Sequence, residues 1–225
     1  MAFGETYFAE HWNAKASRLG QAILSRFWDD ARGVLADTEK KNRFSEHAQA
    51  TELLSVILDG SRRESALKAL IDGTGLAPAS SYFAYYILEA FTACGRVDAV
   101  MSRLRRWRNY VDWGARTAFE TQHANSRSDC HAWSACPIYF FHSSVAGVRP
   151  AVPCFRKVRI APQPCGLKAI RSVTPCPQGG VACDLRFDSI GVKGTVTLPG
   201  TLCGDFLWRG KTKSLSAGVN RIDMK

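Results

Sequence analysis

The sequence predicts an α-helical part followed by a part built of β-strands. Up to about residue 146, apolar residues recur at helical spacing. After Gly147, prolines cluster and short runs of alternating apolar residues replace that spacing. With 225 residues, 46% of them hydrophobic, the chain can bury one sizeable core or two modest ones. We therefore expect two domains, residues 1–147 and 148–225.

The helical part is expected to contain about six helices joined mostly by short loops. Ser61 and Glu64 have the spacing of a capping box, which places a helix start before Leu67. An apolar helix is predicted for about 80–94, an arginine-rich helix ending near Gly114, and a last helix for about 131–145. Two apolar stripes mark further helices: Leu19, Ala22, Ile23 and Phe27, and then Leu53, Leu54, Ile57 and Leu58.

The β part is expected to be a small antiparallel module. Glycine-containing turns (QGG, GVKG, PGT and RGK) separate its alternating runs. These runs comprise Val158 and Ile160, then Val181, Cys183, Leu185 and Phe187, and then Val192, Val196 and Leu198.

The net charge of +10 raises the question of nucleic-acid binding. The densest basic cluster is RLRRWRNYVDW, residues 103–113, but on a helix Arg103 and Arg106 point away from the apolar face. We interpret that cluster as a solvated helix face and expect no nucleic-acid partner. The apolar stretch 76–95 contains Pro78 and Glu89, so we expect a buried helix and no membrane contact. The first residues lack the pattern of a secretory signal, and the compartment stays open.

Eight cysteines are present, and an even number is compatible with disulfides. No Cys-x-x-Cys pair occurs, so we interpret them as mostly buried free thiols. His123, Cys130 and His131 have no fourth ligand at a recognisable spacing. We expect neither a bound metal nor another cofactor.

The segment TAFETQHANSRSDCHAW, residues 117–133, carries the candidate chemistry. Glu120 follows the end of a predicted helix, where catalytic groups often lie. Asp129, His131 and Trp133 come about ten residues later and would converge with Glu120 across a turn. The alternative is a structural role for these residues. Glu120 would be an ordinary loop acid, Asp129 would cap a helix, and His131 would have its hydrogen bonds satisfied within the fold.

The same segment resembles the one that carries the catalytic base of the bacterial α-L-rhamnosidases, which are inverting glycosidases. Further similarity lies before it, in RFWDDARGVLAD, FSEHAQATELL and LAPASSYFAYYILEAF, and after it, in VAGVRPAVPCFRKVRIAPQP and GTVTLPGTLCGDFLWRGK. The resemblance implies the C-terminal half of an (α/α)6 six-hairpin barrel, residues 1–147, and a C-terminal antiparallel β-sandwich, residues 148–225.

The resemblance also implies roles. Glu120 matches the base, His131 matches a sugar contact, and Asp129 and Trp133 would lie in the same sugar site, Trp133 either stacking on the sugar or filling the core. The substrate would be a rhamnose-containing glycoside or polysaccharide. Glu46 and His47 either line the cleft or, as we favour, lie at the start of a helix, where the helix dipole stabilises an acidic side chain.

The resemblance leaves some parts unassigned. About half of the barrel helices and the general acid would precede Met1, so we expect a fragment that alone is weakly active or inactive. Its uncovered apolar face would cause self-association or bind an N-terminal partner. A non-catalytic carbohydrate-binding or assembly remnant is the alternative function. Cys154 and Cys165 stand where the family commonly has glycine, and a positive φ there would be strained.

Overall fold

The computed structural model describes residues 5–55, 57–123 and 125–225. It divides into two compact units: one joins the chain up to Ala99 with Trp107–Ser134, and the other joins Val100–Arg106 with Ala135–Lys225. The predicted helix-then-sheet order is confirmed. The boundary at 147/148 stays a prediction.

Helices dominate the described chain up to Phe140. The first strands, β1 (Trp28–Asp29) and β2 (Val34–Leu35), form a short antiparallel pair that the sequence analysis missed. The helices are α1 (Thr6–Phe27), α2 (Glu46–Ser55), α3 (Gly60–Asp72), α4 (Ala84–Ala93), α5 (Val97–Leu104), α6 (Arg108–Asp112) and α7 (Pro137–Phe140).

Helix α1 exposes much of its apolar surface. Gly20 is its buried residue, packed against Ile57, whereas Leu19 of the predicted apolar stripe is 55% exposed. Tyr7 and Trp12 are 73% and 57% exposed. The stripe was correctly interpreted as a helix, but most of it is not buried within the described structure.

Two details of the helical prediction are wrong. Helix α3 starts at Gly60 after Asp59, so Ser61 lies inside the first turn and cannot be the capping residue. The arginine-rich helix is broken by a 3₁₀ turn at Arg105–Trp107, and Arg103 is buried instead of solvated. Within the described residues, no helix is both long and apolar enough to cross a membrane.

The β part contains two four-stranded sheets. One, in the order β10-β7-β6-β5, is antiparallel throughout. The other, β3-β4-β8-β9, is mixed because β4 and β8 run parallel. The prediction of a purely antiparallel module is therefore wrong for this sheet. The strands are β3 (Val148–Pro150), β4 (Lys157–Ile160), β5 (Ala169–Cys176), β6 (Gly179–Phe187), β7 (Val192–Leu198), β8 (Cys203–Trp208), β9 (Lys211–Leu215) and β10 (Gly218–Met224).

The predicted alternation is found in these strands. Val181, Cys183 and Leu185 of β6 are buried, whereas the residues between them are partly exposed. Val196 and Leu198 of β7 are buried in the same way. A period of two directs every second side chain to the same face of a sheet, and here that face forms the core.

The interpretation of the cysteines as mostly buried is wrong. All eight are free thiols, but only Cys136 and Cys183 are buried. Burial raises the pKa of these two thiols to about 12, so they stay protonated near neutral pH. Cys130, Cys154, Cys165 and Cys203 are exposed.

Cys154 and Cys165 adopt the left-handed backbone that the glycine pattern predicted, with φ of +61° and +47°. A side chain in this region costs roughly 1–2 kcal/mol per residue. We expect Cys154→Gly and Cys165→Gly each to stabilise the fold by up to about 1 kcal/mol, because relief of this strain outweighs the larger backbone entropy that glycine loses on folding. Urea denaturation measures the change.

Cys203→Gly is the matched control, since Cys203 is also exposed but lies in the regular strand β8. Cys203 is the first residue of β8, and glycine there should destabilise the fold by up to roughly 0.5–1 kcal/mol, the loss expected in the middle of a strand. If all three variants lost the same free energy of unfolding, Cys154 and Cys165 would not be strained.

Candidate functional site

The loop after α6 folds back on itself and brings the two predicted polar clusters together. The N–H of Glu120 donates to the carbonyl of Ser128 at 3.0 Å, and the N–H of His131 donates to that of Ala118 at 2.8 Å. The Thr117 hydroxyl also donates to the Asp129 carbonyl. The segments 117–120 and 128–131 are therefore paired along their backbones, and the convergence of their side chains on one cleft stays a prediction.

Tyr110 of α6 anchors the chain on both sides of Glu120. Its hydroxyl is within 3.3 Å of the carbonyl oxygens of Phe119 and Thr121 and within 2.6 Å of the Ser81 hydroxyl. Tyr110 is 4% exposed, and buried hydrogen bonds of this kind fix geometry because breaking them leaves polar groups unsatisfied. The Glu120 backbone is thus held by the buried Tyr110 of α6 as well as by its own loop.

The Glu120 carboxylate is bound at two points by Arg127, a residue that the sequence analysis did not single out. The Nη2–Oε1 distance is 2.6 Å and the Nε–Oε2 distance is 3.0 Å. The two side chains differ in exposure, 23% for Glu120 and 84% for Arg127. The hydrogen bonds to Glu120 raise the pKa of the Arg127 guanidinium, which is therefore always charged.

An aromatic group centres on Tyr82, which precedes α4. Tyr82 stacks on Trp133 with ring centroids 4.6 Å apart and planes 16° apart. It also meets His131 edge-on at 5.8 Å. Trp133 is 58% exposed, so the indole does not fill a core and offers its surface to solvent.

The other residues that the sequence analysis singled out are not part of this aromatic group. Asp129 is exposed, and its carbonyl rather than its carboxylate takes part in the loop pairing. Glu46 is the first residue of α2, is 2% exposed, and accepts the N–H of Ala79 at 2.7 Å. His47 packs on Phe83 with ring centroids 4.2 Å apart. The favoured structural role of Glu46 agrees with these contacts.

No group of three or more His, Cys, Asp or Glu side chains with metal-binding geometry occurs among the residues that the structure describes. The side chains that the loop presents include the Glu120 carboxylate, the His131 imidazole and the Arg127 guanidinium, beside the indole of Trp133 stacked on Tyr82.

Comparison with known proteins adds a family and a fold. Residues 147–202 match the sequence family of the bacterial α-L-rhamnosidase C-terminal domain. A GH78 family rhamnosidase of Bacillus sp. GL1 superposes with a TM-score of 0.78 at 26% identity, covering 90% of this chain and 24% of that one. No curated protein sequence matches the chain at a significant level.

Two other solved structures show the same fold at lower identity. The α-L-rhamnosidase from Aspergillus terreus matches with a TM-score of 0.78 at 18% identity, covering 97% of this chain and 27% of its own. The Streptomyces avermitilis α-L-rhamnosidase complexed with L-rhamnose matches with a TM-score of 0.75 at 17% identity, covering 95% and 24%. The chain thus spans about a quarter of the length of these structures.

The fold is similar to that of solved glycoside hydrolases, and residues 147–202 resemble the C-terminal domain of the bacterial α-L-rhamnosidases. The resemblance to the α-L-rhamnosidases that the sequence predicted is confirmed.

Proposed function

We propose that this chain provides part of the catalytic centre of an inverting α-L-rhamnosidase, with Glu120 as the general base. The observation that carries the proposal is the folded loop 117–133. It holds a partly buried carboxylate on a backbone that hydrogen bonds tie to Tyr110, and pairs that backbone with the segment leading to His131 and Trp133.

An inverting glycosidase activates water with one carboxylate and protonates the leaving oxygen with another, the two standing about 6.5–9.5 Å apart. Glu120 would take the water proton. We propose that the general acid is supplied from outside these 225 residues, as are the remaining helices of an (α/α)6 barrel. General acid–base assistance contributes typically about 10²–10⁴-fold, so the chain alone is expected to be weakly active or inactive.

The neighbouring side chains would bind the sugar. His131 would hydrogen-bond a hydroxyl, and Trp133 would stack its exposed face on the ring, since Tyr82 covers the other face. Asp129 is exposed and would accept a further hydroxyl. We propose a rhamnose-containing glycoside or polysaccharide as the substrate, with the C-terminal sheets forming the β-sandwich of such enzymes.

A second function is a non-catalytic carbohydrate-binding or assembly module of the same fold. The exposed apolar surface of α1 favours it, because Tyr7, Phe8, Trp12 and Leu19 are each more than half exposed. Through this surface the chain would self-associate or bind an N-terminal partner. Binding of L-rhamnose without hydrolysis even of an activated aryl rhamnoside, whose leaving group needs no general acid, would favour this second function over the first.

Substitution of Trp133 tests the sugar site without requiring catalysis. We expect Trp133→Ala to weaken L-rhamnose binding about fivefold, because an aromatic contact is worth roughly 1 kcal/mol. Ligand-observed NMR titration measures the dissociation constant. Trp12→Ala is the matched control, since Trp12 is 57% exposed but lies on α1. If both variants bound L-rhamnose with the same dissociation constant, Trp133 would not be part of the sugar site.

A further inference from the structure

The ion pair between Glu120 and Arg127 presents a difficulty for a general base. One guanidinium holds both carboxylate oxygens, at 2.6 and 3.0 Å. A two-point pair of this kind occupies the inner lone pairs of the carboxylate and fixes its plane. A water molecule that gives its proton to Glu120 has to approach one of these oxygens, so the pair obstructs the chemistry proposed for Glu120.

The two partners of the pair differ in exposure and in how their backbones are held. Glu120 is 23% exposed and follows a backbone that Tyr110 and Ser128 hold on both sides. Arg127 is 84% exposed and lies in irregular chain. Ion pairs at the surface contribute little net stability because water and salt screen them, so a ligand hydroxyl can compete for the carboxylate.

We propose that Arg127 is a gate on Glu120, closed in the structure described and opened when a sugar hydroxyl displaces the guanidinium. Arg127 then swings into solvent while Glu120 stays in place. Arg127 is a positioning residue in this scheme, since it acts through Glu120. The inference rests on the proposed function, because it requires that Glu120 faces the sugar.

Chemical labelling of arginine tests the gate. Phenylglyoxal modifies accessible guanidinium groups, and mass spectrometry reports the rate at each position. We expect Arg127 to react several-fold faster in Glu120→Gln than in the wild-type chain, and saturating L-rhamnose to accelerate its reaction in the wild-type chain. Arg108 is the internal control, because it is 76% exposed and paired with Asp112, and its rate should not change.

A second variant tests the gate by affinity. Arg127→Gln removes the competing cation, so L-rhamnose should bind about two- to fivefold more tightly, which corresponds to the free energy of an exposed pair. Weaker binding would show that Arg127 holds the sugar instead and would overturn the gate.

The outcomes separate the gate from the proposed function. L-rhamnose binding with an unchanged or slower reaction at Arg127 overturns the gate and leaves the proposed function standing. A wild-type chain that binds no L-rhamnose in the NMR titration overturns both.

Discussion

Gly147→Ala is expected to destabilise the β part by about 2–5 kcal/mol. Gly147 has φ of +69°, and a Cβ there would lie 2.1 Å from the carbonyl oxygen and 2.2 Å from the carbonyl carbon of Ala161. The Gly147 carbonyl accepts the N–H of Ala161 at 3.0 Å, so the two segments cannot separate without losing this bond. The left-handed backbone costs roughly 1–2 kcal/mol and overpacking costs roughly 1–3 kcal/mol more.

Gly210→Ala isolates the backbone contribution. Gly210 also has a positive φ, +79°, but nothing lies within 4 Å of a Cβ placed there. It should therefore lose only the roughly 1–2 kcal/mol of the left-handed conformation. Equilibrium unfolding in urea compares the two variants. If both lost the same free energy, close packing against Ala161 would not be the reason for glycine at position 147.

The sequence predicted those parts of the fold that depend on local periodicity. Val181, Cys183 and Leu185 are buried as expected because alternation alone decides which face a strand residue occupies. The parallel pairing of β4 with β8 was missed because the two strands are far apart in the chain. The burial of Arg103 was also missed. Helical spacing shows towards which side of the helix a side chain points, but not which part of the fold covers that side.

The candidate site was predictable in its residues but not in its contacts. The loop acid and the following His131 and Trp133 stand out in the sequence, and the turn between them predicted their approach. Tyr82 comes from a distant segment, and nothing local points to its stacking on Trp133. Arg127 was within reach of sequence analysis, because opposite charges at both ends of a short turn often pair.

The role of Glu120 stays a prediction, and its substitution has the largest expected effect on activity. Glu120→Gln keeps the size of the side chain but removes the charge that a base requires. Loss of a general base typically lowers the rate by about 10²–10⁴-fold. A substrate with a good leaving group makes this loss visible, because such a group departs without the general acid that we place outside the chain.

Hydrolysis of dinitrophenyl α-L-rhamnoside by the wild-type chain and by Glu120→Gln is therefore the most direct test. An alkyl α-L-rhamnoside, which needs protonation of its leaving group, is the control substrate. We predict slow release of dinitrophenol by the wild-type chain, at least about 10²-fold slower release by Glu120→Gln, and no measurable hydrolysis of the alkyl rhamnoside by either. Equal rates for the two proteins on the activated substrate would contradict the assignment of Glu120 as the base.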